Sequence, residues 1–331
     1  MRVLITGAQG FVGRYVTHEI LRTRPHATVL GIGRSPRMDA CFSHDVTVRG
    51  TRVRARLDRS LPKPGTDAYE YEQVDLTDTR ALRGLAARFQ PDCVVHLASG
   101  LRGDDDRHLV QTNVTGTASL LAALGETCRQ PPAVVLGSSG GVYGAMTPAD
   151  LPVAESAPCH PADVYAATKL AAEQIGRVLC AQYGMRYVSA RLFNVVGPGQ
   201  SERHVCGRFA SLIAAATTSP PGSLRTGSLT STRDYVDVRD VAAALVLLAQ
   251  SGSGTYNVAS GIETSTGTVL QLLLRHAGLE GRLQVEPTAD VLPGVSRHVG
   301  CAQRLTSLGY TPTYTLADSL KDVWEYYATS T

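Results

Sequence analysis

Thr6-Gly7-Ala8-Gln9-Gly10-Phe11-Val12-Gly13 stands between an apolar run, Val3-Leu4-Ile5, and a helical pattern over residues 10–23. Glycines at this junction have distinct physical uses. Gly7 permits the tight turn, Gly10 lets a pyrophosphate approach the backbone, and Gly13 lets the helix pack close to the sheet. The helix start offers unpaired N–H groups and a partial positive charge to an anion. With Gln9, Phe11 and Val12, these glycines form a candidate dinucleotide-binding turn.

Outward from this turn, apolar runs alternate with helical spacing. Strands are expected at 2–6, 28–32, 70–74, 93–97, 133–136 and 186–191, and helices at 10–23, 79–89, 109–128 and 164–183. Runs that are apolar nearly throughout suit strands buried on both faces. The alternation predicts an α/β fold with a doubly wound parallel sheet. After about Gly197 the pattern loosens into a short strand at 254–258 and helices at 268–277 and 316–327. The expected division is a cofactor domain at 1–196, with 233–249 packing back onto it, and a smaller α/β substrate-binding region at 197–331. Residues 43–67 form an insertion rich in arginine, with alternation on both sides of Gly50. It reads as a basic hairpin, either a solvated flap or a lid or interface element near the adenosine end.

Cofactor choice is read at the end of the second strand. An NAD site wants a carboxylate there. This chain has Gly31-Ile32-Gly33-Arg34-Ser35. Arg34, helped by Arg37, would pair with a 2′-phosphate, which favours NADP over NAD; the alternative is that Arg34 stacks on the adenine. Asp75 accepts from the adenine amino group or caps the following helix.

Tyr165-Ala166-Ala167-Thr168-Lys169 puts a phenol and an ammonium on one helix face. An ammonium about 4 Å away at an effective dielectric near 20 is worth roughly 4 kcal/mol, about 3 pKa units. The phenol is therefore expected near the working pH, as an acid–base catalyst. Both residues also face the cofactor, with Lys169 on the nicotinamide ribose. Ser139, at the end of an expected strand, would donate to a carbonyl oxygen as charge builds there.

Together these residues resemble the extended short-chain dehydrogenase/reductase family, the NAD(P)-dependent sugar-nucleotide epimerase/dehydratase group with a Rossmann domain. The match runs through the glycine turn, Val94-Val95-His96-Leu97-Ala98, Asn113-Val114-Thr115-Gly116-Thr117, Ser139, Tyr165 and Lys169. The resemblance implies that Leu76, Leu97 and Ala98 line the cofactor cleft and that Asn113 steadies the strand beside the site. It implies substrate contacts from Asn194, and from Arg233 and Arg297 on the diphosphate. It also implies a homodimer through the helices at 109–128 and 164–183.

The two residues after Ser139 narrow the reaction. Sugar 4,6-dehydratases carry an Asp-Glu pair there; this chain has Gly140 and Gly141, which would leave space beside the substrate. The stretch Phe193-Asn194 with Gly197-Pro198-Gly199-Gln200 resembles reductases acting on GDP-4-keto-6-deoxymannose. A 4-keto-6-deoxy-sugar nucleotide reductase using NADP is favoured. The alternatives are an NAD-dependent 4-epimerase or decarboxylase, and a catalytically silent NADP(H)-sensing scaffold.

Composition sets the remaining bounds. Of 331 residues, 43% are hydrophobic and 18% charged, and the net charge of +3 argues for no nucleic-acid or membrane partner. The first apolar run is too short for a signal peptide, and no stretch suits a membrane span. Seven cysteines without a Cys-x-x-Cys pair suggest free thiols in a cytoplasmic protein with no metal site.

Overall fold

The computed structural model describes residues 1–331 except 37, 62–67, 218–222, 288–296 and 330–331. Arg37 and the end of the insertion therefore lie outside the described residues.

The core is a seven-stranded sheet. Its order across the sheet is Gly254–Val258, Tyr187–Leu192, Ala133–Ser139, Cys93–His96, Arg2–Thr6, Thr28–Gly33 and Tyr69–Gln73. Every neighbouring pair is parallel. The order reverses between Arg2–Thr6 and Cys93–His96, the switch point where such sheets open a crevice for ligands. Alternate residues of one strand serve opposite layers. Val3 and Ile5, Val29, and Val95 join the core beneath helices Phe11–Thr23 and Val238–Ser251. Leu4, Leu30 and Val94 join the core beneath Thr79–Phe89, Gly116–Thr127 and Val164–Gln182. Apolar runs are thus required on both faces, which is why the sequence reads as it does.

Three expectations need correcting. The strand Gly254–Val258, read as part of the smaller region, is the seventh strand of the main sheet, parallel to Tyr187–Leu192. The helix expected at 109–128 runs unbroken from Asp106 to Thr127, but it widens into a π-helical turn over Val110–Thr115. That turn places Asn113 in the interior, 2% exposed. Finally, the basic insertion does form a hairpin, Cys41–Val48 with Thr51–Arg56, but it is no solvated flap. Arg49 and Gly50 both have positive φ, 50° and 79°, as a two-residue turn of this hand requires. Phe42, Val46, Val48 and Ala55 are buried. The Ser43 N–H donates to the Gln9 carbonyl at 2.8 Å, and Arg14 donates to the Asp39 and Cys41 carbonyls. His44 Nε2 meets the Gly199 carbonyl at 2.8 Å, and Tyr326 donates to the Arg56 carbonyl. The hairpin therefore straps the glycine turn to the 197–204 loop and to the C-terminal helix Leu316–Thr329.

The smaller region centres on strand Thr232–Asp237. Asn194–Val196 and Arg297–His298 pair with it in parallel, and Glu263–Ser265 antiparallel. No helix among the described residues is long and apolar enough to cross a membrane.

Candidate active site

At the switch point the glycine turn is held against the end of strand Cys93–His96. Gly7 has φ +68°, and a Cβ there would sit 2.8 Å from the Ala98 nitrogen. Gly13 serves the turn itself, since its Cβ would lie 2.2 Å from the Gly7 carbonyl oxygen. The helix starting at Phe11 has no side-chain cap and no acidic residue in its first turn, so its amide donors remain for an anion. This cradle fits a dinucleotide pyrophosphate. Gln9 is buried beneath the cradle, and its Oε1 accepts from Arg14 at 3.0 Å.

A buried polar chain runs from this turn to the catalytic helix. The Thr6 hydroxyl lies 2.6 Å from His96 Nδ1 and accepts from the Leu97 and Ala98 amides. His96 Nε2 lies 2.9 Å from the Thr117 hydroxyl, which donates to the Asn113 carbonyl at 2.6 Å. Thr117 thus accepts from Nε2–H, and Thr6 donates to Nδ1. Burial pulls the His96 pKa down to about 3, with Lys169 adding to the effect, so the ring is neutral. The Asn113 amide donates to the Thr168 hydroxyl, which donates to the Tyr165 carbonyl. Asn113 also accepts from the Gly100 amide at 2.8 Å, tying the 97–104 loop to the same helix.

Ser139, Tyr165 and Lys169 converge. Ser139 stands beside the Tyr165 hydroxyl and works against the rise in its pKa. Its Oγ also accepts from the Gly141 amide at 3.1 Å. Lys169 Nζ donates to the Gly137 carbonyl at 2.9 Å and lies 6.0 Å from the Tyr165 ring centre. The expected electrostatics need revision here. Burial raises the Tyr165 pKa, and the cation that opposes this is Arg102, with Ser139 assisting. The Arg102 guanidinium carbon stands 5.5 Å from the ring centre, and its Nε donates at 2.8 Å to Asp163, the residue that caps the catalytic helix. Lys169 is itself pulled down to about 8 by burial, with Glu173 opposing. Glu173 in turn pairs with Arg191 at 2.8 Å and accepts from Ser138 at 2.5 Å, beside Ser139. Removing one partner of such a buried pair costs about 3–5 kcal/mol.

The glycines after Ser139 do not face open space. A Cβ on Gly140 would meet His298 Cε1 at 2.8 Å and the Phe193 ring at 3.1 Å. A Cβ on Gly141 would lie 3.2 Å from Ser139 Oγ and 3.4 Å from an Arg102 nitrogen. Arg102 and His298 were not anticipated, and neither lies in a motif that signals them. Glu173 is a third residue outside those expectations, although its place one helical turn beyond Lys169 is a signal that could have found it.

At the adenosine end, Arg34 is exposed, with one nitrogen 3.3 Å from His108 Nε2. Asp75 accepts from the Thr77 amide and hydroxyl, both at 2.8 Å, and Arg34 and His108 help lower its pKa after those bonds. Asp78, not Asp75, caps the helix Thr79–Phe89. Leu76 is buried against Gly116, whose added Cβ would lie 2.9 Å from it.

On the far wall, the Asn194 amide donates to the Asp234 carbonyl at 3.0 Å. Asp234 is fully buried and its carboxylate accepts from Ser260 N and Oγ, Gly261 N and Gly300 N. Arg233 bonds its neighbour's carbonyl and lies close enough to His298 to depress that imidazole's pKa. Arg297 is engaged elsewhere, with its guanidinium bidentate on Glu263, both distances 2.6 Å.

A doubly wound sheet, an uncapped glycine turn and a Ser–Tyr–Lys cluster define a nicotinamide-dependent dehydrogenase of the extended short-chain type. The family model described as "NAD dependent epimerase/dehydratase family" matches residues 3–259, and the chain belongs to that family. It is an NAD(P)-dependent enzyme. GDP-6-deoxy-D-mannose reductase of Pseudomonas aeruginosa is 34% identical over 71% of this chain and 81% of its own length. UDP-glucose 4-epimerase of Mycolicibacterium smegmatis is 29% identical over 99% of this chain and 98% of its own. Among solved structures, RMD from P. aeruginosa complexed with NADPH has a TM-score of 0.80 at 27% identity, covering 99% of both chains. UDP-glucose 4-epimerase of Thermus thermophilus, in complex with NAD, also has a TM-score of 0.80, at 26% identity and full coverage of both chains.

Proposed function

We propose that this enzyme reduces the keto group of a 4-keto-6-deoxy-sugar nucleotide with NADPH. The observation that carries the reading is the set of groups around Ser139. It holds a proton donor for a carbonyl oxygen, and where dehydratases carry carboxylates it has two glycines backed by His298 and Arg102. When bound, the cofactor supplies the hydride. Ser139 orients the substrate carbonyl, and the Tyr165 phenol gives its proton to the oxygen. Burial keeps that phenol protonated at neutral pH, which suits a reduction. Lys169 holds the nicotinamide ribose and replenishes the proton. Arg34 reads the 2′-phosphate and Arg233 a phosphate of the substrate. The relative from P. aeruginosa supports the same direction.

Epimerization is the second reading, favoured by the epimerase relative that spans the whole chain. Incubation with NADPH and GDP-4-keto-6-deoxymannose, followed at 340 nm, tests the proposal. Oxidation of NADPH with formation of a 6-deoxyhexose nucleotide is expected. A tightly held oxidised cofactor and no net NADPH consumption would replace the reductase by the epimerase.

We also infer a cofactor domain of residues 1–196 plus 238–258, with the rest of the chain as a smaller substrate region. A homodimer through the helical segments 109–128 and 164–183 is supported by Val110, Val164 and Val178, which are exposed at 47%, 40% and 57%. Seven free thiols support a reducing, cytoplasmic setting.

A further inference from the structure

His298 reaches the site from a strand 158 residues away from the backbone it touches. Its Nε2 lies 2.9 Å from the Gly140 carbonyl, and its ring stacks on Phe193 at 4.8 Å and 25°. The carbonyl can only accept, so Nε2 carries the ring proton. Burial pulls the His298 pKa to about 4, against the Gly140 carbonyl and with Arg233 and Arg102 contributing, so the ring is neutral at pH 7. A neutral imidazole protonated at Nε2 has a bare lone pair at Nδ1. Among the described residues nothing donates to Nδ1, and it is not one of the polar atoms sealed from solvent without a partner. It is an acceptor left open.

The surroundings make that acceptor informative. Arg102 and Arg233 are the charged groups felt by His298, and guanidinium groups only donate. A sugar hydroxyl entering such a wall needs an acceptor for its own proton, or it forfeits a hydrogen bond it had in water. We propose that His298 is a substrate-binding residue whose Nδ1 accepts a hydrogen bond from a ring hydroxyl of the sugar. Gly140 is glycine because any side chain there would take the imidazole's place. The inference rests on the reading of the ligand as a nucleotide sugar and adds a residue that recognises its sugar half.

The test compares affinities for a nucleoside diphosphate and for its sugar conjugate, by calorimetry in the presence of NADP. GDP is paired with GDP-mannose, and UDP with UDP-glucose. The affinity ratio within a pair isolates the sugar. His298→Phe keeps the stack on Phe193 and removes the acceptor. The ratio should fall about tenfold, with affinity for the bare diphosphate and for NADPH unchanged. His298→Asn, which restores an acceptor oxygen near Nδ1, should recover most of it. An unchanged ratio in His298→Phe overturns the inference. Should that variant lose NADPH binding and so prove misfolded, Gly140→Ala decides: its methyl displaces the imidazole, and an unchanged ratio is again fatal. If the wild-type protein binds neither pair, the nucleotide-sugar reading falls and takes the inference with it. Binding with a ratio indifferent to His298 sinks the inference alone.

Discussion

The two walls of the cleft are held by different means. On the cofactor wall, the groups that meet are strand ends brought together by the parallel sheet, and a closed chain of hydrogen bonds from Thr6 through His96, Thr117 and Asn113 to Thr168 fixes them. On the substrate wall, short strands are tied by single side chains, Asp234 to residues 260, 261 and 300, and His298 to Gly140. Both walls rest on apolar packing, but the polar ties of the first are linked in a chain and those of the second act singly. Damage should therefore spread differently from each.

The largest effect is chemical and sits where the walls meet. Tyr165→Phe removes the proton donor but no packing, so kcat should fall about 10²–10⁴-fold while NADPH affinity holds. Stopped-flow hydride transfer and fluorescence titration measure the two separately. Substantial turnover by the variant would detach Tyr165 from the chemistry.

Next comes the pH response of the cofactor wall. His96 is neutral in the fold, with a pKa near 3 against an ordinary 6.5. The unfolded chain takes up a proton below about 6.5 and the folded chain does not. Stability is therefore lost as pH falls from 6.5 toward 3, by up to about 1.4 kcal/mol per unit from this group. Urea unfolding of wild type and His96→Gln should show a flatter slope for the variant. Parallel slopes would mean the imidazole does not titrate as its burial demands.

Asp234→Ala probes the substrate wall. It leaves the donors of Ser260, Gly261 and Gly300 without their acceptor, the last of them buried, at a cost of about 3 kcal/mol. The loss should appear as weakened binding of a nucleotide sugar with little change in NADPH affinity. Equal losses on both ligands would show that the walls are one cooperative unit.

Arg34→Ala is a smaller, selective change at the tip of the cofactor wall. Losing a charge-assisted contact should weaken NADPH by about tenfold and leave NADH nearly unchanged. Equal losses would favour adenine stacking as the role of Arg34.

The contrast also explains what the sequence made legible. The sheet, the glycine turn and Tyr165–Lys169 are local patterns: apolar runs needed by two cores, a turn that tolerates no Cβ, and a spacing of one helical turn. Arg102 and His298 obey no period, and they reach the site only because the loop after Cys93–His96 and the strand Arg297–His298 fold over it. The tuning of Tyr165 departs from the expectation for the same reason. Spacing places Lys169 beside the phenol, and its ammonium does lie 6.0 Å from the ring centre while donating to the Gly137 carbonyl, but the cation that lowers the phenol's pKa is Arg102. Gly254–Val258 was missed as a sheet strand because its partner lies more than 60 residues earlier.

Arg297 gives the smallest expected effect, and one that discriminates between reading a motif and reading contacts. As a phosphate ligand it should matter as much as Arg233. The structure instead commits its guanidinium to Glu263 on the neighbouring strand Glu263–Ser265, with both groups partly open to water. Bonds from Arg297 and then Thr232 hold the Glu263 pKa down at about 2. A diphosphate would have to compete with a bidentate carboxylate already in place. Exposed pairs of this kind add little to stability. Arg297→Ala should therefore leave the substrate KM within about twofold of wild type, whereas Arg233→Ala raises it at least tenfold. If the two variants raise KM alike, Arg297 leaves Glu263 when substrate binds, and the substrate wall is rebuilt on binding rather than ready-made.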